Sequence, residues 1–308
     1  MTETDHIRKS STDDTFADEI SLPKRHHWAI DLILQLFRTK PLGAFGGILV
    51  MILVIVALFA PIIAPYHPHT IHGELILQPP GKQFWFGTDA LARDIFSRIV
   101  WGARVSLIVG FGAVGISVLF ATIIGVLSAF VGGVFDTIVQ RIIDTWMSFP
   151  WLILMLTIMA ILGPGMANVI FALALAGFAG GSRVIRGAVM AIRESEYVLA
   201  ARATGCKKWV VIVFHILPNI TAPIMVLSTL GLGNVILVEA TLSFLGLGVP
   251  PPAPSWGRAL SGDGLNYMLQ APWLAIFPGV AISIAVFGFN MLGDALRDLL
   301  DPKLTGGR

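Results

Sequence analysis

From Thr145 to Ser182 the chain runs through thirty-eight residues without one Asp, Glu, Lys or Arg. Charge-free stretches also cover Ala44–Ala64, Val105–Phe135 and Trp273–Leu292, and Ala222–Leu245 carries one acid, Glu239. A helix rises about 1.5 Å per residue, so the shortest of these runs reaches roughly 30 Å, the thickness of a bilayer's hydrocarbon core. The longest run is too long for one crossing, and its Gly-Pro-Gly-Met-Ala-Asn turn at Gly163–Asn168 divides it into two spans joined by a tight hairpin. Six spans follow. The expected fold is an all-α integral membrane protein with six transmembrane helices over residues 44–293. Charged residues make up 13% of the chain, about half the share of a soluble domain. Gly110, Gly112, Gly115 and Gly125 give the second span the small surface that lets helices approach closely in lipid.

The distribution of Lys and Arg orients the chain. Segments 1–43, 131–145, 182–218 and 294–308 hold sixteen of the 21 basic residues. The opposite side has Lys82, Arg93, Arg98, Arg104 and Arg258. Basic loops stay cytoplasmic, so both termini are expected inside and loops 65–104 and 246–272 outside. Residues 1–27 are polar and lack an apolar signal-like core; Trp28–Phe37 has the spacing of an amphipathic interfacial helix. A net charge of +2 gives no argument for nucleic acid, and one cysteine, Cys206, excludes an intrachain disulfide.

Between the fourth and fifth spans lies Glu196–Pro223, the one long polar, helix-prone segment with apolar runs on both sides. Glu196, Arg202, Lys207 and Lys208 keep it in water; Tyr197, Leu199, Ala200, Ala201, Trp209 and Val213 give it an apolar side. Gly205 offers a turn between two helical halves, and Pro218 is expected to close the second. A short helix, a turn and a short helix at a membrane face suit a docking element. The segment resembles the cytoplasmic EAA loop of the membrane subunits of bacterial ABC importers. Ala200, Ala201, Gly205, Leu217 and Pro218 fall at matching positions, while Leu199 stands for the usual glutamate and His215 for the usual isoleucine. Glu196 is placed to supply the acid, as in the EYVxAARAxG version of peptide-importer permeases. Glu196, Tyr197, Ala200, Ala201, Arg202, Gly205, Leu217 and Pro218 are therefore the expected ATPase-coupling residues.

Three more segments resemble the dipeptide/oligopeptide permease family, so that the likeness covers roughly residues 40 to 304. They are GTDALARDIFSR (Gly87–Arg98), with Ala92 at a usual glycine, SFLGLGVPPPAPSWG (Ser243–Gly257) and DALRDLLDPKL (Asp294–Leu304). Asp89, Arg93, Asp94 and Arg98 read as an ion-pair cluster that folds the outer loop or docks a solute-binding protein. Glu239 must face the bundle interior, since a carboxylate in lipid is costly; it either lines the solute path or ties helices together. His67 and His69 read as solvated, and no metal set or nucleophile arrangement is present. No G-x-x-x-x-G-K-[ST] occurs, so no bound cofactor is expected here and ATP with magnesium is expected on partner subunits.

The resemblance implies a non-catalytic permease subunit of a type I importer in the bacterial inner membrane. It implies a second, usually different, permease subunit, two ABC ATPase subunits, an external solute-binding protein and peptide cargo. Nickel, glutathione or another peptide-like solute is the alternative within the family. A proton-coupled secondary transporter working through Glu239 is the alternative from another class.

Overall fold

The computed structural model describes residues 28–300; what the sequence suggests for 1–27 and 301–308 lies outside the described residues. Every regular element among the described residues is a helix. Helix α1 (Trp28–Thr39) leads into α2 (Pro41–Leu58), which places proline in its first turn, where the missing N–H costs nothing. A break at Phe59 separates α2 from α3 (Ala60–Ile63), so the first charge-free run is two helices and begins earlier than its composition suggests.

Helix α4 (Ile95–Val131) has 37 residues, about 55 Å. It starts ten residues before the charge-free run, inside what the sequence marks as loop. The Asp94 side chain accepts a hydrogen bond from the Ser97 N–H at 2.8 Å and caps the helix. Ile95, Ser97, Val100 and Ala103 are buried there, so packing carries the helix through Arg98 and Arg104.

The third span departs most from expectation. Residues after Val131 form α5 (Gly133–Met147), and α6 (Trp151–Leu162) is bent from it by 87° at Pro150. Proline lacks the N–H that would continue the ladder and pushes Phe149 out of helical geometry. With 12 residues, α6 is about 18 Å long. Helix α5 carries Asp136 and Asp144, which pair with Arg186 and Arg183 on α7 (Met166–Arg193).

Helices α4 and α7 run side by side in the same direction. Gly112 meets Ile170, Gly177 meets Ser117, Gly181 meets Ala121, and Gly125 lies against the Ser182 carbonyl. A Cβ on Gly125 would come within 2.7 Å of that oxygen, so glycine sets this approach. Two parallel helices joined in sequence need a return crossing between them, and the bent pair α5–α6 supplies it. Among the described residues five helices are long and apolar enough to cross a membrane, six with the bent pair counted as one span.

After α8 (Glu196–Ala203), the chain re-enters through α9 (Lys208–Val210), a π stretch at Val211–Ile216 and a 3-10 turn at Leu217–Ile220 into α10 (Thr221–Phe244). Pro218 does not close this element. Irregular winding absorbs the hydrogen bond that proline cannot make, and Lys208–Phe244 passes as a single 37-residue helix. Short helices α11 (Trp256–Ser261) and α12 (Asp263–Asn266) precede α13 (Trp273–Leu300).

Helix α13 packs between α2 and α10, with Gly46 against Met291 and Gly293 against Leu230. Lys40 and Asp298 pair at 2.6 Å, bringing the two described chain ends together. Val184 and Arg297 line one groove with Ala222, which places those ends at the same pole of the bundle as Gly205. This pole is the Gly205 end; the opposite pole, where residues 65–94 meet 246–272, is the Trp256 end. The main core between them gathers Leu107, Ile236, Trp256 and Phe289.

Candidate functional site

At the Gly205 end, α8 stops in a Schellman turn. The Cys206 N–H donates to the Ala201 carbonyl at 3.1 Å and the Gly205 N–H to the Arg202 carbonyl at 3.0 Å. Gly205 has φ +81 with open space around it; backbone sign, not crowding, demands glycine there. Val198 anchors the loop, fully buried with Val189, Val211, Ile216 and Ile220. Arg193 donates to the Ala129 carbonyl at 2.7 Å and so closes the open end of α4.

The anticipated coupling residues separate by face. Glu196, Tyr197, Ala200, Arg202, Gly205 and Pro218 are exposed. Ala201 and Leu217 turn partly inward against the Val198 cluster, so of the two alanines Ala200 is the one fully presented. The Arg202 guanidinium folds back over the Phe130 ring, 4.9 Å from its centre. Glu196 and Leu199 lie three apart on α8 and share a face. Beyond the turn Lys207, Lys208 and Trp209 are exposed, Trp209 by 59%. The loop thus presents aromatic and charged groups on a base fixed by buried valines.

At the Trp256 end, Glu239 is buried to 1% exposure near the close of α10. Its Oε1 accepts from Ser243 Oγ at 2.7 Å and from Ser255 Oγ at 3.1 Å. Ser106 of α4 lies alongside the carboxyl group. One acid therefore joins α10 to the segment leading into α11, while its Oε2 and the Ser106 hydroxyl have no hydrogen-bond partner among the described residues. The Trp256 indole N–H donates to the Ile99 carbonyl at 3.0 Å, seated where Gly102 leaves room. Gly257 lies so close to the Ala240 carbonyl that any side chain would overlap it.

Asp89 and Asp94 divide the work of the preceding loop. Asp94 caps α4 and makes no ion pair among the described residues. Asp89 Oδ1 accepts from the N–H groups of Leu91 and Arg93, its Oδ2 from Arg93 Nε at 2.7 Å, and Arg98 stands 3.6 Å away. Ala92 adopts φ +55 and is wholly buried, holding a left-handed conformation at a position where glycine is at home. Burial, then His67, Arg98 and Arg93, lower the His69 pKa from its ordinary value, a sign of the positive field at this end. Ser106, Ser243, Ser255, Arg258 and Asp263 did not emerge from the sequence as partners of these groups. The Ser-Phe-Leu-Gly and Pro-Ser-Trp-Gly runs that hold Ser243 and Ser255 were the available signal.

Residues 121–306 match the family described as binding-protein-dependent transport system inner membrane component. The chain belongs to this family. Residues 30–80 match the N-terminal transmembrane domain of oligopeptide transport permease C. The permease is 43% identical over 270 residues to the dipeptide transport system permease protein DppC of Alkalihalophilus pseudofirmus, covering 88% of each chain. It is 40% identical over 288 residues to the oligopeptide transport system permease protein OppC of Bacillus subtilis, covering 94% of this chain and 93% of that one. The glutathione transport system permease protein GsiD of Pectobacterium atrosepticum is 36% identical over 286 residues, 92% of this chain and 93% of its own. A chain from the inward-facing MetNI methionine ABC transporter shares the fold, with TM-score 0.54 and 19% identity over 66% of this permease and 96% of that chain. The permease is thus an integral, multi-pass inner-membrane subunit.

Proposed function

We propose that this permease forms part of the translocation path of an ATP-driven importer of di- or oligopeptides. The carrying observation is the loop at the Gly205 end, a rigidly based helix–turn–helix whose second half continues unbroken into α10. Two ABC ATPase subunits, holding ATP and magnesium, engage this loop on the cytoplasmic side. Glu196, Tyr197, Ala200 and Arg202 form its contact face, Gly205 sets its turn, and Leu217 and Pro218 lie where it joins the span. Closure of the motor pair moves the two permease chains of a heterodimer, reorienting the path toward the outer face. A solute-binding protein delivers peptide at the Trp256 end, and most selectivity resides in that protein.

Dipeptide and oligopeptide relatives support the peptide reading; glutathione, itself peptide-like, is the second reading because of the GsiD relatives. Glu239 bonds to serines of its own chain, which favours a tie between helices over a proton relay. The test is peptide uptake by cells or proteoliposomes with the copurifying ATPase intact or inactivated. Uptake is expected to stop on inactivation. Persistent uptake would instead establish the proton-coupled alternative.

A further inference from the structure

At the Trp256 end a cavity of about 250 Å³ opens between the start of α4, the 251–263 segment and the start of α13. Arg93, Arg98 and Arg258 line it together with Asp89 and Asp263. Three guanidinium groups therefore meet two carboxylates, and both carboxylates have commitments elsewhere. Asp89 serves two backbone N–H groups and Arg93. Asp263 accepts from the Ala90 N–H at 3.4 Å. Arg98, 15% exposed, reaches Asp89 at 3.6 Å and the Pro68 carbonyl at 3.3 Å. Arg258 makes no ion pair and no side-chain hydrogen bond among the described residues. A half-buried guanidinium carries five donors in a planar fork that fits a carboxylate. Its site lacks one negative charge.

We propose that this cavity receives an Asp or Glu side chain from the docking face of the solute-binding protein, clamped by Arg258 and Arg98. The inference rests on the functional reading above. Place decides for a protein side chain over peptide cargo. At about 250 Å³ the cavity has room for a single anchoring residue. It also opens between α4 and α13, whereas the cavity at membrane depth lies between α4, α7 and α10, lined by Ser117, Gly177 and Asn234. Pro251, Pro252, Pro254 and Trp256, all stiff groups, are among its lining, so little side-chain freedom is lost when it fills.

The experiment uses the assembled transporter in proteoliposomes, titrated with the peptide-loaded binding protein that copurifies with it. The readout is the binding-protein concentration giving half-maximal stimulation of ATP hydrolysis. Arg258→Glu is expected to raise it about tenfold or more, as for a desolvated charge pair lost at an interface. Arg258→Gln is expected to raise it less and carries the test should the reversal fail to assemble. Lys82→Glu, exposed on the same end outside the cavity, is expected to change it less than about twofold, the weaker effect of a rim charge. Unshifted titrations in both Arg258 variants, with wild-type stimulation intact, overturn the inference alone. A raised peptide requirement at saturating binding protein, without a shift in the docking titration, assigns the cavity to the cargo's carboxylate and overturns it too. A wild-type complex indifferent to binding protein sinks the functional reading and this inference together.

Discussion

The two ends of the bundle treat their polar groups in opposite ways. At the Trp256 end, segments far apart in sequence are stitched by side chains turned inward: Trp256 to Ile99, Glu239 to Ser255, Asp263 to Ala90. At the Gly205 end, Glu196, Lys207, Lys208 and Trp209 point away from the chain, and the loop is held from beneath by Val198 and its neighbours. Arg258 apart, the first end uses its hydrogen-bonding groups on its own shape; the second leaves them for something else to meet. Burial alone would not separate the two, because both contain fully buried valines or aromatics. What separates them is where the donors and acceptors go.

The largest expected effect breaks the stitched end. Trp256→Ala removes an indole from the main core and its bond to Ile99, and a loss of about 3–5 kcal/mol is expected for such a truncation. Thermal unfolding of the detergent-solubilised protein measures it, and an unshifted transition would deny that this end depends on Trp256. Next comes Gly205→Pro. Proline fixes φ near −65°, opposite in sign to the native turn, at a local cost of about 3 kcal/mol. Uptake and ATPase association are expected to fall at least about tenfold, which is worth roughly 1.4 kcal/mol, while the unfolding transition of the bundle stays near wild type. Normal association in that variant would show that the loop is not the coupling surface.

A smaller effect sharpens the contrast from within the membrane. Glu239→Leu strands the hydroxyls of Ser243 and Ser255 and is expected to cost about 2 kcal/mol, whereas Glu239→Gln keeps an acceptor and costs under about 1 kcal/mol. Assembly with partner subunits should survive the glutamine change, as judged by copurification. Smallest is Ala92→Gly. Relief of about 1 kcal/mol of left-handed strain is set against loss of a buried methyl worth about 0.8 kcal/mol, leaving the melting temperature almost unmoved.

Much of this architecture could be read from the residues. Charge-free runs locate spans because lipid excludes charge, and the Gly205 turn is legible because a positive φ at a helix end has a strong residue preference. The departures have equally physical causes. The start of α4 at Ile95 was hidden by Arg98 and Arg104, whose cost is met by packing that no local pattern displays. The bend between α5 and α6 depends on one proline, and Pro218, another proline, produces no break at all because the winding around it loosens. Composition cannot distinguish those two outcomes; the neighbours in space decide. The partners of Glu239 and the unmatched Arg258 lie on segments brought together by the fold, and the pairing of Ser255 with Glu239 spans sixteen positions and a turn.

The passage of Lys208–Phe244 through Pro218 as a single helix has a geometric outcome. Such a rod is about 55 Å long. A tilt of ten degrees about one tip sweeps the other through an arc of about 10 Å. With its tip beside Ser243 pinned through Glu239 and Ser255, an arc of that size at Trp209 turns the whole span by only about ten degrees.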